Sequence, residues 1–130
     1  MKFKHEKDML LFTSLHPVLI MIYADLHWYA RSRHFVDLTI TDTISTLAED
    51  KKLNRTSSSH REARAIDIRT KDLDTFLVAD LVNYINSKKE YKRFHYLSNN
   101  GQKRLAYLHG EDENEHIHLA IHSQFGIKSE

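Results

Sequence analysis

The chain has no cysteine, one proline and three glycines in 130 residues. Without thiols, disulfides and thiolate metal sites are excluded, so any bound metal must rest on His, Asp and Glu. So little proline and glycine argues against long flexible linkers. A predominance of one charge is missing as well: 19 basic residues face 18 acidic ones, a balance that speaks against a dedicated nucleic-acid binder. Long apolar runs are lacking. The most apolar stretch, Val18 to Tyr23, is far too short to span a bilayer, so no stable membrane insertion is expected. The opening Met1-Lys2-Phe3-Lys4-His5-Glu6-Lys7-Asp8 leads into no signal-peptide core. The expectation is a soluble chain made in the cytoplasm, which would need another means of release to act outside.

Histidine, by contrast, is abundant, at ten residues. Imidazole is the commonest metal ligand, so its spacing matters. The length suits one domain over residues 1–130 that buries a core without staples. A monomer is expected.

The pattern of apolar residues predicts an α+β domain with a mostly antiparallel sheet and two longer helices. Ser14 is placed to cap a helix with Pro17 in its first turn, running to about Arg33, with Leu15, Leu19, Ile22, Leu26 and Tyr29 as its core stripe. Trp28, Tyr23 and Tyr29 read as core or core edge. Phe35 to Thr41 alternates like a strand, Thr43 to Lys52 suits a short helix, and Asn54 to Ser59 is a hydroxyl-rich loop. Ala65 to Ile68 is a strand candidate. Asp72 is placed to cap a helix to about Lys88. Arg93 to Leu97 and Lys103 to Leu108 flank Ser98-Asn99-Asn100-Gly101, whose Asn-Gly pair signals a hairpin. Gly110 to Asn114 reads as an acidic turn. In His116 to His122, Ile117, Leu119 and Ile121 take one face and His116, His118, Ala120 and His122 the other, so the histidines should line a cleft.

Two segments offer chemistry: Ser58-Ser59-His60-Arg61-Glu62-Ala63-Arg64-Ala65-Ile66-Asp67 and Glu115-His116-Ile117-His118-Leu119. A catalytic zinc site needs three protein ligands and one open position. Two neutral imidazoles and a carboxylate leave the ion positive, which acidifies bound water and polarises a carbonyl. His60, Asp67 and His118 supply that set, and Glu115 is placed to act as general base. On a strand Glu115 and His118 would point to opposite faces, so Glu115 must lie in the turn just before it. Plainer roles stay open: His60 as a loop or capping residue, Asp67 as a buried partner of Arg64 or Arg69, and the histidine face as a solvated strand surface.

The first segment resembles the Ser-x-His-x-x-Gly-x-Ala-x-Asp motif of the LAS metallopeptidases, matched by Ser58, His60, Ala65 and Asp67. The second resembles their closing acid-His-x-His element, matched by Glu115, His116 and His118. Leu15-His16-Pro17-Val18-Leu19 and Asp37-Leu38-Thr39-Ile40 are similar to the first helix and strand of small phage endolysins. The order of elements is similar over most of the chain, but only the two motifs are specific. The resemblance implies a Hedgehog/DD-peptidase-like fold, with zinc on His60, Asp67 and His118 and Glu115 as base. It implies that His116 steadies the reacting carbonyl, that Ser58 contacts substrate or positions the loop, and that the substrate is a peptidoglycan stem peptide. Such an endolysin would act on the cell wall after release, during host lysis.

Two departures stand out. Ala63 takes the place of the motif's glycine, at a cost on the order of 1 kcal/mol if that position needs φ > 0. The arginine that family members carry near the position of Ser45 is absent. Arg55 and Arg61 are the substitutes at hand, and Arg61 is assigned to substrate binding with Ser58. The alternatives to an endopeptidase are a D-Ala-D-Ala carboxypeptidase or dipeptidase, and a non-catalytic zinc-binding phage domain of the same fold.

Overall fold

The computed structural model describes residues 1–97 and 101–125. Its sheet is built from β1 (Lys2–Phe3), β2 (Thr39–Asp42), β3 (Ala65–Arg69), β6 (Ala106–His109) and β7 (His116–Ala120), in the spatial order β1-β2-β3-β7-β6. Only the β1–β2 pair is parallel; the other three pairs are antiparallel. A separate two-stranded ladder joins β4 (Tyr96–Leu97) to β5 (Lys103–Arg104). The helices are α1 (Glu6–Leu11), α2 (Pro17–His34), α3 (Leu47–Lys52) and α4 (Thr75–Ser87). This is an α+β fold with two longer helices and a mostly antiparallel sheet, as the residue pattern implies.

The core follows from two periodicities. Leu19, Ile22 and Leu26 recur on one side of α2, and Leu81 and Ile85 on one side of α4. Ile66 and Ile68 of β3 and Ile117 and Leu119 of β7 alternate onto the same apolar cluster. All are fully buried, at about 1.5–3 kcal/mol for each such side chain. The odd positions of β3 and the even positions of β7 are thereby directed to the opposite face. The two long helices are tied through Asp25, whose carboxylate accepts from Tyr84 Oη and Tyr91 Oη, both at 2.6 Å, and from Lys88 Nζ at 2.9 Å. The Tyr29 and Tyr84 rings stack above this, with centroids 3.7 Å apart.

Several boundaries differ from the sequence expectation. Ser14 lies in a 3₁₀ turn, and His16 caps α2 instead, its Nδ1 accepting from Val18 N at 3.1 Å. The strand expected from Phe35 begins at Thr39, because Phe35 is left-handed (φ 58°) and closes α2 with its N–H on Arg31 O. Asp74, not Asp72, caps α4. Thr46 caps α3, which leaves residues 43–45 outside the helix. The expected strand Lys103 to Leu108 is divided between two ladders at buried Leu105. Pairing of Tyr96 with Arg104 and Leu97 with Lys103 bears out the hairpin, while its turn residues 98–100 lie outside the described residues. Trp28 is 67% exposed rather than at the core, whereas Tyr23 is fully buried. Among the described residues no helix is long and apolar enough to cross a membrane.

Candidate metal centre

Register places the first two groups. Asp67 of β3 stands directly opposite His118 of β7, and Arg69 opposite His116. The flanking isoleucines and leucine go to the core, so Asp67, His116 and His118 share the other face. Asp67 Oδ1 lies 3.0 Å from His118 Nδ1 and 3.5 Å from His116 Nε2.

His60 comes from the loop between α3 and β3. That loop folds on itself: Glu62 N donates to Ser58 O, Ala63 N to His60 O and Arg64 N to Ser59 O. Ala63 is left-handed, with φ 58°, at the position where the motif carries glycine. Its methyl is buried against the core. Burial of that methyl, about 0.8 kcal/mol, offsets much of the left-handed penalty of about 1–2 kcal/mol. The turn brings His60 Nε2 within 3.1 Å of Asp67 Oδ1. On the far side of the ring, Nδ1 lies 2.6 Å from the Thr43 carbonyl. A carbonyl can only accept, so Nδ1 carries the proton and Nε2 is directed at the cluster.

His60, Asp67 and His118 each offer one ligand atom, and these atoms lie within 4.8 Å of one another. Two imidazoles and a carboxylate gathered in this way could hold a metal ion. Side-chain exposure rises from 4% at His60 and 8% at Asp67 to 13% at His118 and 22% at His116, so the cluster opens on the His116 side. Burial works to raise the Asp67 pKa, but attraction to His60 and hydrogen bonds from His118 and His60 outweigh it and hold the carboxyl far below its usual range. Burial pushes His60 down, yet Asp67 outweighs it and the net shift is upward. At His118 burial prevails and the shift is downward.

The remaining sequence candidates occupy distinct places. Glu115 follows the 3₁₀ turn Asp112–Asn114 and immediately precedes β7. Its Oε1 lies 3.4 Å from Thr70 Oγ1, a hydroxyl that also donates to the Glu115 carbonyl at 3.0 Å. It is not part of the three-ligand group. His116 donates from Nδ1 to Asn114 O at 2.9 Å, which turns Nε2 toward Asp67. Ser58 Oγ donates to Glu62 Oε2 at 2.8 Å, and Arg61 Nη1 donates to Asp50 Oδ2 at 2.9 Å.

Sequence reasoning did not find the ionic cluster behind the ligands. Arg55 pairs with Asp42, donates to Asp50 Oδ1 at 3.2 Å, and places Nη2 3.7 Å from Asp67 Oδ2. Of the two arginines weighed as substitutes, Arg55 is therefore the one beside a ligand. Asp42 and Asp50 carry no spacing signal, because loop geometry alone brings them together. No known family model, curated protein or solved structure matches the chain.

Proposed function

We propose that this chain is a zinc-dependent peptidase that hydrolyses peptide bonds in bacterial peptidoglycan stem peptides, in the manner of a small endolysin. The observation that carries the proposal is the convergence of His60, Asp67 and His118 within 4.8 Å, open on one side, in a chain without cysteine. His60, Asp67 and His118 would hold the zinc ion, which would supply an acidified water and a polarised peptide carbonyl. Glu115, which immediately precedes β7, would take the proton of the attacking water and deliver it to the leaving amine as the C–N bond breaks. His116, oriented by the Asn114 carbonyl on its Nδ1, would steady the reacting carbonyl from Nε2. Arg55, with Nη2 3.7 Å from Asp67 Oδ2, would help to orient that carboxylate. The remaining parts of the proposal are a monomer that binds no nucleic acid and acts on the wall after release from the cytoplasm.

One observation favours a second reading, a zinc-binding domain without turnover: the Glu115 carboxylate contacts Thr70 and is not among the ligands. Glu115→Ala separates the two. For a peptidase, release of new amino groups from purified peptidoglycan falls by at least about 100-fold while bound zinc is kept. Unchanged release would remove Glu115 from the reaction. A carboxypeptidase or dipeptidase would release single D-alanine or a dipeptide rather than cut within the stem.

A further inference from the structure

We propose that Asp8, on the N-terminal helix α1, is a positioning residue for the metal ligand His60, acting through Thr43; this rests on the metal-centre reading above. Asp8 is fully buried on a six-residue helix that otherwise faces outward. Its Oδ1 accepts from Thr43 N at 3.0 Å and from Thr43 Oγ1 at 2.6 Å. One carboxylate oxygen thus holds the main-chain N–H and the hydroxyl of Thr43 together and restrains that residue, with Asp42 Oδ1 sharing the N–H at 3.1 Å. The carbonyl of the same residue is the group that receives His60 Nδ1 at 2.6 Å. Asp8 thereby sets the direction of the bond that fixes both the tautomer and the ring plane of His60.

A second link runs from the same helix to the second ligand. Lys7 Nζ lies 3.0 Å from Asp8 Oδ1 and 3.3 Å from Asp42 Oδ1. Asp42 pairs with Arg55, and Arg55 faces Asp67 Oδ2. The N-terminal segment is fastened in place by the parallel β1–β2 pair and by Lys4 N on Ile40 O at 2.8 Å. Asp8 Oδ2 is buried with no hydrogen-bond partner among the described residues. A buried carboxylate with an idle oxygen is a costly way to fill space. An apolar side chain would pack as well and could not hold Thr43.

The test uses the full chain with zinc as the probe. Zinc affinity is measured by competition with a chromophoric chelator for wild type, Asp8→Ala, Asp8→Asn and Thr43→Val. Far-UV circular dichroism and thermal midpoints of the metal-free proteins are read alongside. Asp8→Ala is expected to weaken zinc binding about 10–100-fold. Asp8→Asn keeps an acceptor oxygen for both Thr43 bonds and should remain close to wild type. Thr43→Val, which loses only the hydroxyl, should fall between them, and it carries the test if Asp8→Ala does not fold. Wild-type affinity in Asp8→Ala, or in Thr43→Val where the alanine variant is unfolded, overturns the proposal. Asp8→Asn as weak as Asp8→Ala also overturns it, because charge rather than hydrogen bonding would then be responsible. A wild type that binds no zinc overturns the metal-centre reading itself, and this proposal with it.

Discussion

Asp67 Oδ1 has three imidazole nitrogens within 3.5 Å, and an ion at this site would stand among the same atoms. In the metal-free protein the carboxyl is held far below its usual pKa, and His60 beside it is shifted upward. The depressed Asp67 contributes stability above the ordinary carboxylate range, and that contribution is lost as pH falls through its folded value. The raised His60 contributes fully below the ordinary imidazole value, and its share is lost as pH rises through its folded value. Their pairing therefore supports the metal-free fold most between about pH 4 and pH 6.5. A metal ion bound here would compete with the proton on His60, so binding below the raised His60 value should release a proton, and apparent affinity should climb by up to about tenfold per pH unit until that value is passed. Calorimetry in buffers of different ionisation enthalpy reads that proton directly; buffer-independent heats would contradict it. Residue type and spacing offered His60, Asp67 and His118 as a ligand set with plainer roles open, the motif resemblance favoured it, and the structure brings the three together. Asp8 was not, because its partner Thr43 lies 35 positions away and nothing local marks either residue.

At the scale of elements, strand alternation was the most informative signal. It correctly sent Ile117 and Leu119 inward and put His116 and His118 on the site face. The turn before β7 was also legible, and its geometry explains why it needs glycine. Gly110 has φ 87°, and a Cβ there would meet Asn114 O at 2.4 Å. Asn114 O is the acceptor that orients His116. Gly110→Ala should destabilise the chain by about 1–2 kcal/mol from backbone conformation alone, and by more once the clash is added. It should also lower peptide hydrolysis more than zinc affinity, since His116 is displaced while the ligands are not. Chemical denaturation and a zinc titration of the same variant test both parts. Element ends were less legible. Phe35 looks like a strand residue by composition, but the helix needed a left-handed residue there to stop. The split at Leu105 was invisible because both halves of Lys103 to Leu108 are extended and differ only in their partners.

For the whole molecule, the class of fold was readable from segregated helices and strands, since each periodic segment must bury its apolar side against another. The N-terminal segment was not readable. A two-residue strand has no period, and β1 is defined only by its parallel pairing with β2. Yet that segment brings Asp8 to Thr43, whose carbonyl meets His60 Nδ1, and Lys7 to Asp42, which pairs with Arg55. The central claim is that this architecture carries a catalytic zinc ion. Its most direct test is elemental analysis of protein purified without chelator, wild type beside His118→Ala, with turbidity of permeabilised bacterial cells followed on the same samples. The account predicts about one zinc per chain in the wild type, lost in His118→Ala, and a fall in turbidity that a chelator stops. Wild-type protein that holds no zinc, and gains no lytic activity when zinc is added, would contradict it.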